Sequence, residues 1–235
     1  MSSYALPLPA SRLARAPALP LLLAETPHVW RLHFGRHVPS ARAKIGAGRP
    51  VLVLPGFLAN DRSTRMLRAS LAEAGFDVHG WRMGRNLGVR TDTLDKIGAR
   101  VARIRANNPA PLTIVGWSLG GLMAREYAKH APEGIARVVT LGSPFSGDPR
   151  ANHAWRLYEW IAKHPVDAPP IDCRLGEKPP VETIALWSGR DGVVCASSAR
   201  GEHGETDRHV ELYCSHMGFA LDPLAIDTVI DTVAA

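Results

Sequence analysis

The chain has 235 residues, of which 46% are hydrophobic, a size and composition typical of one medium-sized domain with a substantial core. Its formal charge of +6 arises from 28 basic and 22 acidic residues, but only five of the basic residues are lysine and the arginines are scattered singly. Scattered arginines are typical of solvated faces, whereas a nucleic-acid site needs a basic cluster. We therefore expect no nucleic-acid partner.

Residues 1–49 are rich in proline, alanine and arginine. We interpret them as an N-terminal extension, with a helix over residues 19–34, that packs on a core beginning at Pro50. The longest apolar run near the start, residues 18–24, is far shorter than the ~18–20 residues of a membrane span. It is also not followed by a small-residue cleavage site. We expect no membrane span and a cytoplasmic location.

From residue 50 onward, short apolar runs alternate with segments of helical spacing. This alternation is the pattern of βαβ units and predicts a doubly wound, mainly parallel α/β sheet of about six strands. The predicted strands lie at residues 51–54, 76–81, 112–115, 135–141, 181–187 and 210–213.

Three of the intervening helices have recognisable ends or faces. Asp61 is placed to cap a helix that Gly75 ends, and Asp222-Pro223 is placed to begin the last helix. A helix over residues 94–104 has an apolar inner face, and its outer face is expected to carry Arg100, Arg103 and Arg105.

The alternation is interrupted at residues 145–180, which are rich in proline and contain one helical segment at residues 151–163. This connection is far longer than the usual ~2–6 residues, and we interpret it as a small helical cap. Its aromatic residues are candidates for the substrate pocket, although core packing explains Trp155 and Tyr158 equally well. The pocket candidates are Phe145, Trp155 and Tyr158.

Gly116-Trp117-Ser118-Leu119-Gly120 lies between a predicted strand and a predicted helix. In this Gly-x-Ser-x-Gly pattern the serine occupies a tight, strained turn, and small flanking residues allow the backbone to approach closely. The hydroxyl then projects above the edge of the sheet. Ser118 is therefore the predicted nucleophile.

A serine hydroxyl needs a base to remove its proton and an acid to orient that base. Asp191 and His216 follow the ends of two later predicted strands, so both should reach the edge that carries Ser118. Their order, serine, acid, histidine, is the one this architecture uses. The rival acids of the cap and the rival histidines are better explained as solvated or structural; they are Asp148, Asp167, Asp172, His203 and His209.

Amide donors should face the oxyanion that develops during the reaction. The amide of Leu119, after the nucleophile, is one candidate, and the amide of Phe57, in the loop after the first strand, is the other. Residues 82–90, around Arg85 and Asn86, should form a loop on the same rim. No cofactor or metal motif is present.

The cysteines have neither zinc-finger nor Cys-x-x-Cys spacing, and free buried thiols are the simplest interpretation. Because Cys195 and Cys214 flank the proposed acid and base, a disulfide between them is the alternative. The third cysteine is Cys173.

Five motifs resemble those of the α/β-hydrolase superfamily, and within it bacterial lipases and esterases: LPGF, GWSLGG, VVTLGSPFSG, SGRDGVV and CSHMGF. The resemblance implies a reduced α/β-hydrolase fold, since the early strands of the full fold are not evident before Val51. It also implies a metal-free serine hydrolase that cleaves small-molecule esters, lipid-like ones included, through an acyl-enzyme. The implied roles are Ser118 as nucleophile, Asp191 as acid, His216 as base, and Phe57 and Leu119 as oxyanion donors.

Two alternatives to ester hydrolysis are an acyltransferase or thioesterase, and a non-catalytic binding module. An acyltransferase or thioesterase would use the same three side chains with a different acceptor or leaving group. A binding module on a hydrolase scaffold has no use for a reactive serine, and haloalkane or epoxide opening needs a carboxylate at the position of Ser118. Acyl chain length, alcohol and oligomeric state are not encoded in these motifs.

Overall fold

The computed structural model describes residues 15–34 and 44–235. Six strands form one sheet in the order β2-β1-β3-β4-β5-β6, and all five pairings are parallel. The predicted parallel sheet is thus confirmed. The strands are β1 (Pro50–Leu54), β2 (Asp77–Gly80), β3 (Leu112–Trp117), β4 (Ile135–Leu141), β5 (Glu182–Ser188) and β6 (Arg208–Leu212).

Helices cover both faces of the sheet. One apolar layer contains side chains of α2, α3 and α8, and the opposite layer contains those of α4, α5 and α6. Among the described residues, no helix is both long and apolar enough to cross a bilayer. The helices are α1 (Leu19–Ala24), α2 (Thr26–Phe34), α3 (Arg65–Glu73), α4 (Thr93–Asn107), α5 (Leu119–His130), α6 (Trp155–Ala162), α7 (Ala196–Arg200) and α8 (Pro223–Ala234), with a 3-10 turn at Met217–Ala220.

The order of the strands places a crevice at the carboxyl ends of β1 and β3. Every residue of these two strands is buried, as expected for parallel strands covered on both faces. The chain runs outward from β1 to β2 on one side and from β3 to β6 on the other. Such a reversal of strand order is where α/β sheets bind ligands, because the following loops diverge.

The predicted helix over residues 19–34 is two helices, α1 and α2, that meet at Glu25. The reason is Pro27, which lacks an amide hydrogen and is tolerated only in the first turn of a helix. A new helix therefore starts at Thr26. Leu32 of α2 is buried in the core beneath the sheet.

Asp61 does not cap α3, which begins at Arg65. Its two carboxylate oxygens instead accept hydrogen bonds from the amides of Trp81 and Arg82, each at 3.0 Å, just after β2. The prediction for α8 is confirmed, since the Asp222 side chain accepts from the first amides of that helix. A carboxylate that precedes a helix in the sequence can therefore accept hydrogen bonds either from that helix, as Asp222 does, or from amides of another element, as Asp61 does.

Arg100 also differs from its predicted position, because its side chain is buried and does not lie on the outer face of α4. Its Nε donates to the carbonyl of Gly80 at 2.9 Å, so the side chain links α4 to the end of β2. The long apolar stem of arginine makes such burial possible. Arg103 remains exposed, as predicted, and Arg105 is half-buried.

We expect Asp61→Ala to lower the free energy of unfolding by about 1–3 kcal/mol, because two backbone amides lose their acceptors. Urea unfolding monitored by circular dichroism would measure this. Asp92→Ala is the matched control, since Asp92 precedes α4 without a capping hydrogen bond and pairs with exposed Lys96. Equal small losses in both variants would contradict a role for Asp61 in fixing the end of β2.

Candidate active site

Ser118 lies between β3 and α5 with a φ of 55° and a ψ of −123°. Residues with a side chain rarely adopt a positive φ, so this conformation must be held by its surroundings. The amide of Ser118 donates to the carbonyl of Leu141 at 2.8 Å, and its carbonyl accepts from Gly121 at 2.9 Å. The structure therefore has the predicted strained turn at the predicted serine.

The glycines beside Ser118 permit this turn through close packing. A Cβ at Gly116 would overlap the backbone of Gly121, and a Cβ at Gly120 would overlap the carbonyl of Leu54 in β1. The first turn of α5 is thus packed directly against the end of the neighbouring strand. The serine is held at the crevice between β1 and β3.

The structure brings Asp191 and His216 together, as the sequence predicts. The Nδ1 of His216 donates to Oδ2 of Asp191 at 2.7 Å, with side-chain exposures of only 3% and 1%. The other oxygen of Asp191 accepts from the amides of Val193 and Val194, both at 2.8 Å. With Nδ1 engaged, Nε2 is the nitrogen left to exchange a proton with a substrate or nucleophile.

The pKa of His216 is raised above its ordinary value. Burial by itself lowers this pKa, because it disfavours the charged imidazolium. The charge of Asp191, the hydrogen bond to Asp191 and the charge of Glu25 act in the opposite direction and outweigh burial. The surroundings of the ring therefore favour the protonated histidine.

Two side chains that the sequence analysis does not identify hold the loop of His216. The indole Nε1 of Trp117 donates to the carbonyl of His216 at 3.1 Å, and the two rings lie 5.7 Å apart. The hydroxyl of Ser188 donates to the carbonyl of Cys214 at 2.6 Å. Both residues lie within recognised motifs, but their long-range acceptors have no local sequence signal.

The two proposed oxyanion amides, of Phe57 and Leu119, donate to no acceptor among the residues that the structure describes. Their loops meet at the nucleophile, since a Cβ at Gly56 would lie 3.1 Å from the Cβ of Ser118. Buried or half-buried backbone amides are nearly always paired. Two unpaired amides beside Ser118 are therefore available to a ligand.

Asn86, in the loop after β2, holds the loop of Phe57. Its side-chain nitrogen donates to the carbonyl of Pro55 at 2.9 Å, and its backbone carbonyl accepts from the amide of Leu58 at 2.7 Å. Leu58 has a φ of 61°, so this loop is strained as well. The sequence predicts Asn86 on this rim but gives no sign of this role.

An apolar cleft of about 780 Å³, its open mouth included, has Ser118 in its wall. The proposed cap supplies one side of it, with Trp155 and Tyr158 in its lining. The hydroxyl of Tyr158 accepts from the amide of Val89, and its ring lies 5.3 Å from that of Phe57. Tyr158 thus attaches α6 to the rim beside Phe57.

Phe145 is an exception, because it does not line the cleft. Its side chain is fully buried, and the guanidinium of Arg125 lies 4.1 Å from the centre of its ring. Desolvation lowers the pKa of Arg125 to about 10, and its Nη2 donates to the carbonyls of Gly176, Glu177 and Glu205. Phe145 therefore packs in the interior against α5 and does not face the cleft.

The rival acids and bases contact neither Asp191 nor His216. Asp148 accepts from the amide of Arg150 within the cap, while Asp167 and Asp172 pair with arginines at 2.8 and 3.7 Å. His203 and His209 are exposed. Among residues 15–34 and 44–235, no group of three or more His, Cys, Asp or Glu side chains could hold a metal ion.

The three cysteines are free thiols, so the alternative of a Cys195–Cys214 disulfide is wrong for this structure. The Sγ of Cys195 instead lies 3.2 Å from the hydroxyl of Ser197. Cys214 is buried and desolvation raises its pKa, while desolvation and nearby Glu126 raise the pKa of Cys173 to about 12. Neither of these two thiols is disposed to ionise near neutral pH.

Comparison with known proteins agrees with this architecture. Residues 85–167 match the family described as alpha/beta hydrolase fold. A curated relative, the biotin biosynthesis bifunctional protein BioHC of Teredinibacter turnerae, is 33% identical over 117 residues, covering 46% of this chain and 19% of that protein. The chain thus matches about a fifth of that relative's length.

Solved structures share the fold at low identity. Lipase B of Aspergillus fumigatus has a TM-score of 0.61 at 15% identity, covering 85% of this chain and 56% of that one. An esterase of Exiguobacterium antarcticum has a TM-score of 0.54 at 15% identity, covering 81% and 93%. The putative non-heme bromoperoxidase BpoC of Mycobacterium tuberculosis has a TM-score of 0.55 at 18% identity, covering 80% and 92%.

The fold is that of the α/β hydrolases, and the family match over residues 85–167 agrees with it. The resemblance drawn from the motifs is confirmed at the level of the fold. Because proteins named for different activities share this fold, the reaction has to be inferred from the site itself.

We expect Asn86→Ala to lower the free energy of unfolding by about 1–3 kcal/mol, because the buried carbonyl of Pro55 loses its donor. Residues 55–59 should also exchange their amide hydrogens faster, which hydrogen-exchange mass spectrometry would detect. Asn107→Ala, at an exposed asparagine of α4, is the control. Unchanged exchange over residues 55–59 would show that Asn86 does not hold this loop.

Proposed function

We propose that this protein is a serine hydrolase that cleaves carboxylic esters through an acyl-enzyme on Ser118. The observation that carries the proposal is the occurrence of three features at the same carboxyl edge of the sheet. These are a serine in a strained turn, two backbone amides without acceptors beside it, and a buried Asp191–His216 pair at 2.7 Å. Each supplies one requirement of acyl transfer: a nucleophile, an oxyanion site and an oriented base.

In the proposed reaction, Nε2 of His216 takes the hydroxyl proton as Oγ of Ser118 attacks the ester carbonyl. The amides of Phe57 and Leu119 stabilise the resulting oxyanion, and His216 then protonates the departing alkoxide. Water, activated by the same nitrogen, releases the acid in the second half. Asp191 keeps the ring in the required tautomer and stabilises the transient imidazolium throughout.

The cleft supports a substrate with an apolar acyl group. Its walls are formed mostly by aliphatic and aromatic side chains, and the only residue of formal charge among its described lining is Glu126. Glu126 is in turn paired with Lys129 at 2.7 Å, so the cleft presents little free charge. The lipase and esterase names of structural neighbours agree with such a substrate but belong to proteins only 15% identical.

The first test is labelling with a fluorophosphonate, which reacts with activated serines. We expect stoichiometric labelling of the wild type and none of Ser118→Ala, with ester turnover reduced by about 10⁴-fold or more. Asp191→Asn should lose on the order of 10⁴-fold while remaining folded, because the amide cannot stabilise the imidazolium or enforce its tautomer.

Asp172→Asn is the matched control for the acid, because this carboxylate is 85% exposed in the cap. It should retain wild-type turnover. Labelling of a residue other than Ser118, or greater sensitivity at Asp172 than at Asp191, would refute the assignment. Product analysis with added alcohols or thioesters would distinguish acyl transfer and thioester cleavage from ester hydrolysis, and a wild type that fails to label would indicate a binding module.

The second test concerns the acyl pocket. Trp155→Ala should lower kcat/KM for p-nitrophenyl octanoate by about tenfold or more relative to the acetate, because only the longer chain gains from burial against the indole. Trp160→Ala, on the same helix but 68% exposed and outside the cleft, is the control. An equal loss for both esters, together with a lower melting temperature, would assign Trp155 to packing instead.

A further inference from the structure

Glu25, at the junction of α1 and α2, is a buried carboxylate that reaches the candidate active site from the N-terminal segment. It is 3% exposed. Its Oε1 accepts from the amide of His216 at 2.6 Å and from that of Gly192 at 3.1 Å, while Oε2 accepts from Met217 at 3.1 Å. One side chain therefore connects the loop of the acid with the loop of the base.

Glu25 has no lysine, arginine or histidine within ion-pair distance among the residues that the structure describes. Both oxygens act as acceptors, which is the hydrogen-bonding pattern of an ionised carboxylate. Burial of a carboxylate is costly unless hydrogen bonds replace its hydration, and here three backbone amides do so. A group held in this way fixes the positions of its donors.

The backbone of α1 contacts the acid loop independently of the carboxylate. A Cβ at Gly192 would overlap the carbonyl of Leu21, so only glycine allows this approach. Further along the segment, the carbonyl of Pro17 lies 2.8 Å from Nε2 of His153, at the start of the cap. The N-terminal segment therefore contacts the acid loop, the base loop and the cap.

We propose that Glu25 is a positioning residue of the active site, which holds the Asp191 and His216 loops in register through their backbone amides. The inference rests on the proposed function for its kinetic consequences. Gly192 immediately follows the acid and His216 is itself the base, so a change at Glu25 displaces both partners of the 2.7 Å pair. Glu25 contacts no reacting atom and acts through these two residues.

The position of Glu25 also has an electrostatic consequence. The groups facing the ring of His216 are Asp191 from the acid loop, Glu25 from the α1–α2 junction, and the uncharged rings of Trp117 and Phe219. Both carboxylates raise the pKa of His216, against the lowering effect of burial. A general base must be neutral, so kcat/KM should rise with pH through this raised pKa. Removal of the Glu25 charge should move that rise to lower pH.

The test compares Glu25→Gln, Glu25→Asp and the exposed control Glu202→Gln. Each protein is labelled with a fluorophosphonate across a pH series, and its melting temperature is measured. Glu25→Gln should lower the labelling rate on the pH plateau by roughly 10- to 100-fold, as small misplacements of catalytic groups do. The rise of its labelling rate with pH should lie at lower pH than in the wild type. Glu25→Asp should label more slowly on the plateau but show this rise at the wild-type pH. Glu202→Gln should change neither the plateau rate nor the pH of the rise.

The same shift is measured without turnover by following the His216 ring signals in NMR titrations, assigned with His216→Ala. A lower midpoint in Glu25→Gln than in the wild type supports the inference even if the protein proves not to be a hydrolase, which absent labelling at Ser118 would show. Wild-type rate and wild-type midpoint in Glu25→Gln would overturn it. A lower plateau labelling rate and a lower melting temperature, with an unchanged pH dependence of labelling and an unchanged NMR midpoint, would show that Glu25 is only a general stabilising contact.

Discussion

The parallel pairing of six strands is the constraint on which the site depends. Because all strands run the same way, their carboxyl ends meet at one edge, and the candidate groups follow four of them. Phe57 follows β1, Ser118 follows β3, Asp191 follows β5 and His216 follows β6. β1 and β3 are buried on both faces and cannot shift independently, so the loops of Phe57 and Ser118 start from fixed positions.

The loops themselves are strained, and the strain is held by long-range contacts. Ser118 and Leu58 have φ values of 55° and 61°, conformations that cost on the order of 1–3 kcal/mol each for residues with a side chain. The packing of α5 against β1 offsets this cost at Ser118, and the hydrogen bonds of Asn86 do so at Leu58. Strain of this kind keeps a nucleophile and an oxyanion loop in place before any substrate arrives.

The strands, the serine and the acid–base pair were predictable because each has a local signature. A buried strand is a short apolar run, a strained turn needs flanking glycines, and a residue just after a parallel strand must lie at the carboxyl edge. Phe145 was misassigned to the pocket because an aromatic residue in a cap has the same pattern whether it faces a cleft or, as here, packs against Arg125.

The supporting residues could not be predicted for a different reason. Asp61, Asn86 and Glu25 hydrogen-bond to backbone groups 20, 31 and up to 192 residues away, and a backbone group has no residue type that a sequence could display. The sequence around Asp61 even suggests a helix cap, a local role that would have explained this carboxylate without its true partners. Such partners are defined only when the tertiary fold brings the loops together.

The arrangement of charge around His216 follows from the same backbone contacts. Asp191 and Glu25 are both buried, and neither pairs with a lysine or arginine among the described residues; five backbone amides solvate them instead. A cation in that role would cancel the field at the imidazole, whereas amide dipoles stabilise the carboxylates and leave much of their charge directed at the ring. The proposed reaction transiently creates an imidazolium at His216 in each half. A histidine between two amide-solvated carboxylates is arranged to receive that proton before the reaction begins, so little reorganisation is needed when the charge appears.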